Sequence, residues 1–131
     1  MSRLLLPLCL FGLLLITSCS SSTDILVSNA SGSVVGSITV MSATEARYIQ
    51  KDQTEKAWLR GPVVRDNNKK RIGRIEVLQD QVRILTNDGT EAMILENGTE
   101  CIDKNGTLRG KLHRVTEPEV AGGACLAFFV F

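Results

Sequence analysis

A chain of 131 residues has material for one small domain. Its 15 basic and 14 acidic side chains leave a formal charge of +1, which excludes the strong basic excess of a nucleic-acid-binding protein. With 44% hydrophobic residues it is not a disordered chain, although that apolar content is concentrated in the first eighteen positions and the last few.

The chain opens with Met1, Ser2 and Arg3, followed by an almost wholly apolar run from Leu4 to Ile16. A positive start and a short apolar run make a secretory signal, and the run falls short of the roughly 20 residues a membrane span needs. It ends in Ile16-Thr17-Ser18-Cys19, which resembles the lipobox of bacterial lipoproteins. The resemblance implies lipidation of the Cys19 thiol, cleavage before Cys19 and acylation of the new amino terminus. The chain then divides into a signal peptide, expected as a helix, over 1–18, a flexible tether over 19–24 and a folded domain over 25–131. The expected partner is the membrane, held through the N-terminal lipid. Ser20 stands where Asp favours inner-membrane retention in lipoproteins of enterobacterial type, so the outer membrane is expected, with the domain on its periplasmic or surface-exposed side. Ser20 to Thr23 are polar and few, which keeps the domain close to its anchor.

The remainder is an internal repeat. Residues 25–40, 62–77 and 99–114 overlie one another without a gap, so that Gly36, Gly73 and Gly110 coincide at steps of 37. Ile38, Ile75 and Leu112 coincide two residues later; Val27, Val64 and Cys101, and Asn29, Asp66 and Asp103, coincide before them. The intervening segments 47–59 and 83–95 match at a step of 36, sharing Arg, Asp, Thr, Glu and a closing Leu.

Each segment reads as two short strands about a polar turn. Asp88-Gly89 and Asn105-Gly106 are strong hairpin signals, and Ser31-Gly32 and Asn67-Asn68 serve the same purpose. The returning strands alternate, with Ile38, Val40, Ile75 and Val77 on one face and Ser37, Thr39, Arg74 and Glu76 on the other. Hairpins are therefore expected near 25–40, 46–60, 62–77, 82–96 and 99–115. The three glycines inside strands predict a recurring bend or bulge that curls neighbouring hairpins about one axis. The expected fold is all-β, a small radial or barrel-like repeat of short antiparallel hairpins. It resembles the small bacterial lipoproteins described as five-fold β-flowers, and this implies a compact repeat domain with a binding or structural role.

No long amphipathic helix is evident after Ser20. The continuously apolar end, Leu126 to Phe131, reads as a buried closing strand, with self-association through that strand as the second reading.

Of four cysteines, Cys9 falls in the signal and Cys19 carries the lipid. Cys101 and Cys125 remain, and in an oxidising compartment a disulfide is the default for them. Their wide spacing and the single His count against redox or metal chemistry, so neither metal nor cofactor is expected.

His113 is the one imidazole; at the place of Thr39 and Glu76 it reads as a solvated strand residue. No nucleophile motif or phosphate loop accompanies it. Basic residues gather at Arg60, Arg65, Lys69, Lys70, Arg71 and Arg74 with only Asp66 among them, and the Lys69-Lys70 tip has no counterpart in the other repeats. Arg65, Lys69, Lys70, Arg71 and Arg74 are thus candidates to bind anionic groups, either lipid phosphates or an acidic glycan, against the plainer reading of a solvated turn. Trp58 aligns with Ile94 and reads as core or interface filling. The expected role is a non-catalytic envelope scaffold or binding module. The alternatives are an enzyme-like accessory using His113 with carboxylates, and an adhesin or inhibitor using the basic tip at 65–74.

Overall fold

The computed structural model describes residues 24–131. The predicted signal peptide, Cys19 and the tether as far as Thr23 lie outside the described residues.

Ten strands follow in order: β1 Asp24–Asn29, β2 Val34–Ser42, β3 Glu45–Gln50, β4 Glu55–Arg60, β5 Val63–Asp66, β6 Arg71–Val77, β7 Val82–Thr86, β8 Glu91–Glu96, β9 Glu100–Asp103 and β10 Leu108–Leu112. Each pairs antiparallel with the next, and β10 pairs with β1 through Gly110–Asn29, Lys111–Ser28 and Leu112–Val27. The sheet is a closed barrel without free edges, built from the five hairpins that the repeat predicts.

The repeat has a physical basis in the turns. Asn29, Asp66 and Asp103 each use a side-chain oxygen to accept backbone N–H groups two and four residues on, at 2.9–3.1 Å. In the intervening hairpins Asp52 and Asp88 take the N–H groups of Thr54 and Thr90, both at 3.0 Å. These short side chains substitute for backbone acceptors and fix each turn.

The bulges also recur. Val27 pairs with Gly36, Val64 with Gly73 and Cys101 with Gly110, and the register shifts immediately after each pair. A bulge raises local twist, so three equivalent bulges help bend the sheet into a ring. Ile38 and Ile75 face the interior as expected, whereas Val77, at the end of β6, is exposed.

A ten-stranded barrel is wider than its own inward side chains can fill. The C-terminal segment supplies the missing volume. Helix α1, Pro118–Cys125, continues into a π-helical turn over Leu126–Val130, and every residue from Val120 to Ala127 is buried. This corrects two expectations: Leu126–Val130 is helical, not a closing strand, and it offers no strand for self-association. The helix shows no amphipathic periodicity because its buried stretch is apolar on all sides, as a helix surrounded by sheet must be. Pro118 stands in its first turn, where its missing N–H costs nothing. Gly122 lies against Ile75 and Val82, and Gly123 lies beneath Tyr48, whose hydroxyl donates to the Val120 carbonyl at 2.8 Å.

The repeat glycines are sockets for this plug. A Cβ on Gly36 would stand 2.6 Å from the Phe128 ring, one on Gly73 2.7 Å from Leu126, and one on Gly110 would run into Phe129. Equivalent positions on three hairpins thus receive three successive bulky residues of the terminal segment. Cys101 and Cys125 form a disulfide, Cα atoms 5.5 Å apart, that joins the plug to β9.

Candidate functional site

With the interior filled by the chain itself, groups that could meet a ligand stand on the outer wall and at the turns. Because each strand leads directly to its neighbour, the turns 30–33, 51–54, 67–70, 87–90 and 104–107 share one end of the barrel. The start of β1 and the entry of α1 are at the other.

Cross-strand register assembles the basic cluster on adjacent strands. Arg47 of β3 pairs with Trp58 of β4, Trp58 with Arg65 of β5, and Arg65 with Arg71 of β6. Val63, in turn, lies between Arg60 and Arg74. Lys69 and Lys70 occupy the β5–β6 turn. The five predicted anion-binding residues Arg65, Lys69, Lys70, Arg71 and Arg74 are therefore neighbours in space as in sequence.

Asp66, the acidic residue within this stretch, does not neutralise them. It is buried, and its Oδ1 accepts the N–H groups of Asn68 and Lys70, both at 2.9 Å. Arg65 donates to the Lys69 carbonyl at 3.4 Å. Among the described residues, no carboxylate forms an ion pair with any of the five. Gathered cations without counter-charges repel one another, and an anion arriving there relieves that repulsion.

Beside the cluster runs a groove of about 230 Å³ whose floor includes Trp58. Trp58 is half-buried and faces outward, because its neighbours Ala57 and Leu59 are the buried residues of β4. Of the two expected places, core or interface, this excludes the core. Alternation along β4 carried the signal: Ala57 and Leu59 on the inner face force Trp58 to the outer one. The Arg60 guanidinium stacks on the indole, 4.7 Å from the ring centroid, and is 3.6 Å from Glu45. Arg47 lies 3.4 Å from Glu55, and Asn67 and Lys69 of the β5–β6 turn complete the lining. Both ion pairs are largely solvent-exposed, so a ligand can exchange with them at little cost.

His113 follows β10 and is exposed, with its Nε2 2.6 Å from the Ser28 hydroxyl. Ser28 is only 4% exposed, and among the described residues the His113 ring has no carboxylate partner. The two side chains share a shallow pocket with Asn29, Ser31 and Lys111. Among the described residues no three His, Cys, Asp or Glu side chains gather as a metal-ligand set.

Comparison of the chain with protein-family models, with curated proteins and with solved structures finds no match.

Proposed function

We propose that this chain is the precursor of a lipid-anchored envelope protein, held at the outer membrane through Cys19, whose barrel is a non-catalytic binding module for anionic ligands. One observation carries the binding reading. The barrel lumen is occupied by residues 118–130 of the same chain, which leaves the outer surface for partners, and there five cations cluster with no ion-paired carboxylate among the described residues. The five hairpins closed in a ring support the kinship with hairpin-repeat lipoproteins that the sequence suggests.

Two measurements test this. Cells expressing the full chain and supplied with labelled palmitate should transfer label to the wild type and not to Cys19→Ala, and the wild type should fractionate with the outer membrane. The purified protein should be retained on an anionic polymer matrix, and replacing Lys69, Lys70, Arg71 and Arg74 by Gln should abolish retention while leaving the folded spectrum unchanged. An unlabelled wild type removes the anchor, and unchanged retention removes the anion site.

A further inference from the structure

The internal repeat provides its own reference, against which residues peculiar to one copy can be read. Three departures stand out. Trp58 occupies the position of Ile94 at the step of 36, and Arg60 that of Glu96. Lys69 occupies, at the step of 37, the position of Gly32 and Gly106. That position is left-handed in all three turns, with φ of 92° at Gly32, 68° at Lys69 and 80° at Gly106. Glycine adopts it freely, whereas a lysine there is strained. All three departures line the one groove described above. By contrast, the Arg47–Glu55 pair is repeated as Arg83–Glu91 and belongs to the scaffold.

We propose that the Trp58 groove is a subsite for an acidic saccharide, a sugar ring carrying one carboxylate. This rests on the reading of the barrel as a binding module and not on its lipid anchor. The Arg60 guanidinium that stacks on the half-buried indole is 71% exposed, and when it swings aside the indole gives a sugar ring a flat apolar surface to lie against. The lining mixes donors and acceptors, with Arg47, Arg60 and Lys69 beside Glu45 and Glu55, as a ligand bearing many hydroxyls requires. A phosphate or a lipid phosphate has no sugar ring to lie on the indole, and inorganic phosphate carries more negative charge than the lining balances. Three cations against two carboxylates leave one unit of positive charge, which a single carboxylate balances.

Trp58 is the single tryptophan of the chain, so its fluorescence reports on this groove alone. The full chain in neutral detergent is titrated with tetragalacturonic acid, maltotetraose, inorganic phosphate and phosphatidylglycerol vesicles. Tetragalacturonic acid is expected to change the emission saturably, and the other three probes are expected to leave it unchanged. Lys69→Gly, which restores the residue of the sister turns, should weaken binding about tenfold, the equivalent of one charge-assisted hydrogen bond. Gln53→Gly is the control: Gln53 holds the same strained conformation, at φ 75°, in a neighbouring turn outside the groove lining, and its replacement should leave affinity unchanged. Equal affinity of wild type and Lys69→Gly overturns the proposal, as does a response to vesicles or phosphate in place of the saccharide. Calorimetric binding of tetragalacturonic acid with unaltered emission overturns the groove while leaving the binding-module reading intact.

Discussion

Gly73 and Leu126 fit together as socket and knob: a methyl group at Gly73 would stand 2.7 Å from a Leu126 methyl and would also meet the Leu85 carbonyl. Gly73→Ala is therefore expected to destabilise the fold by about 1–3 kcal/mol through overpacking. Leu126→Ala should cost about 2–5 kcal/mol, because Leu126 is fully buried and its removal leaves a cavity. The two share one volume, so the double variant should lose less than the sum of the single losses. Denaturant midpoints of the four proteins measure this coupling, and strict additivity would show that the glycine does not serve the plug.

The same contact explains how far the sequence could be read. The step of 37 was visible because bulge, turn acceptor and glycine are each local demands of a hairpin, and each leaves its own residue type. The five hairpins follow from those demands. What the glycines face was not visible, since Phe128, Leu126 and Phe129 reach them from the far end of the chain and no local pattern records that approach. The plug itself is illegible as a helix for a related reason. A helix enclosed by sheet needs no polar face, and its apolar run resembles a buried strand in the absence of periodicity. At the candidate site, the cations of β5 and β6 were legible as a run of charges. Trp58 was not, because its alignment with Ile94 hid the fact that both positions face outward.

The Cys101–Cys125 disulfide closes a loop across a sequence separation of 24 and fastens the plug to the wall. Replacing both cysteines by Ser, or reducing the bond, is expected to cost about 3 kcal/mol on the chain-entropy account. Because α1 fills the lumen, the loss should fall first on the plug. Amide exchange of residues 120–127 should accelerate more than that of the strands, where a uniform change across the molecule would count against a fastening role.

Stability should also decline in acid, and two turn carboxylates define where. The Thr86 hydroxyl and the Thr90 N–H hold Asp88 down to about 2, and the Thr54 hydroxyl and N–H lower Asp52 in the same way. A depressed folded value means that the ionised form is favoured by folding. The stabilisation is fully present above the unfolded value of about 3.9 and is lost as pH falls through the folded one. For Asp88 the window runs from roughly pH 4 to pH 2. Denaturant midpoints across that range should fall in the wild type and fall less steeply in Asp88→Asn; parallel curves would place the acid sensitivity elsewhere.

Lys69 offers the sharpest separation of stability from function. Its φ of 68° places an L side chain in the left-handed region, where Gly32 and Gly106 stand in the sister turns. Relief of that strain in Lys69→Gly should return about 1–2 kcal/mol. The added freedom of glycine in the unfolded chain offsets about 0.5–1 kcal/mol of it. The net expectation is a protein more stable by about 0.5–1 kcal/mol. Gln53→Gly should gain a similar amount, since Gln53 at φ 75° stands where Gly89 stands in its own sister hairpin. The two variants should then differ in binding alone, with Lys69→Gly losing affinity and Gln53→Gly keeping it. Thermal or denaturant unfolding of both, set beside the tryptophan titration, decides the matter. A Lys69→Gly protein that is less stable than the wild type would mean that the lysine serves the turn itself, not a ligand.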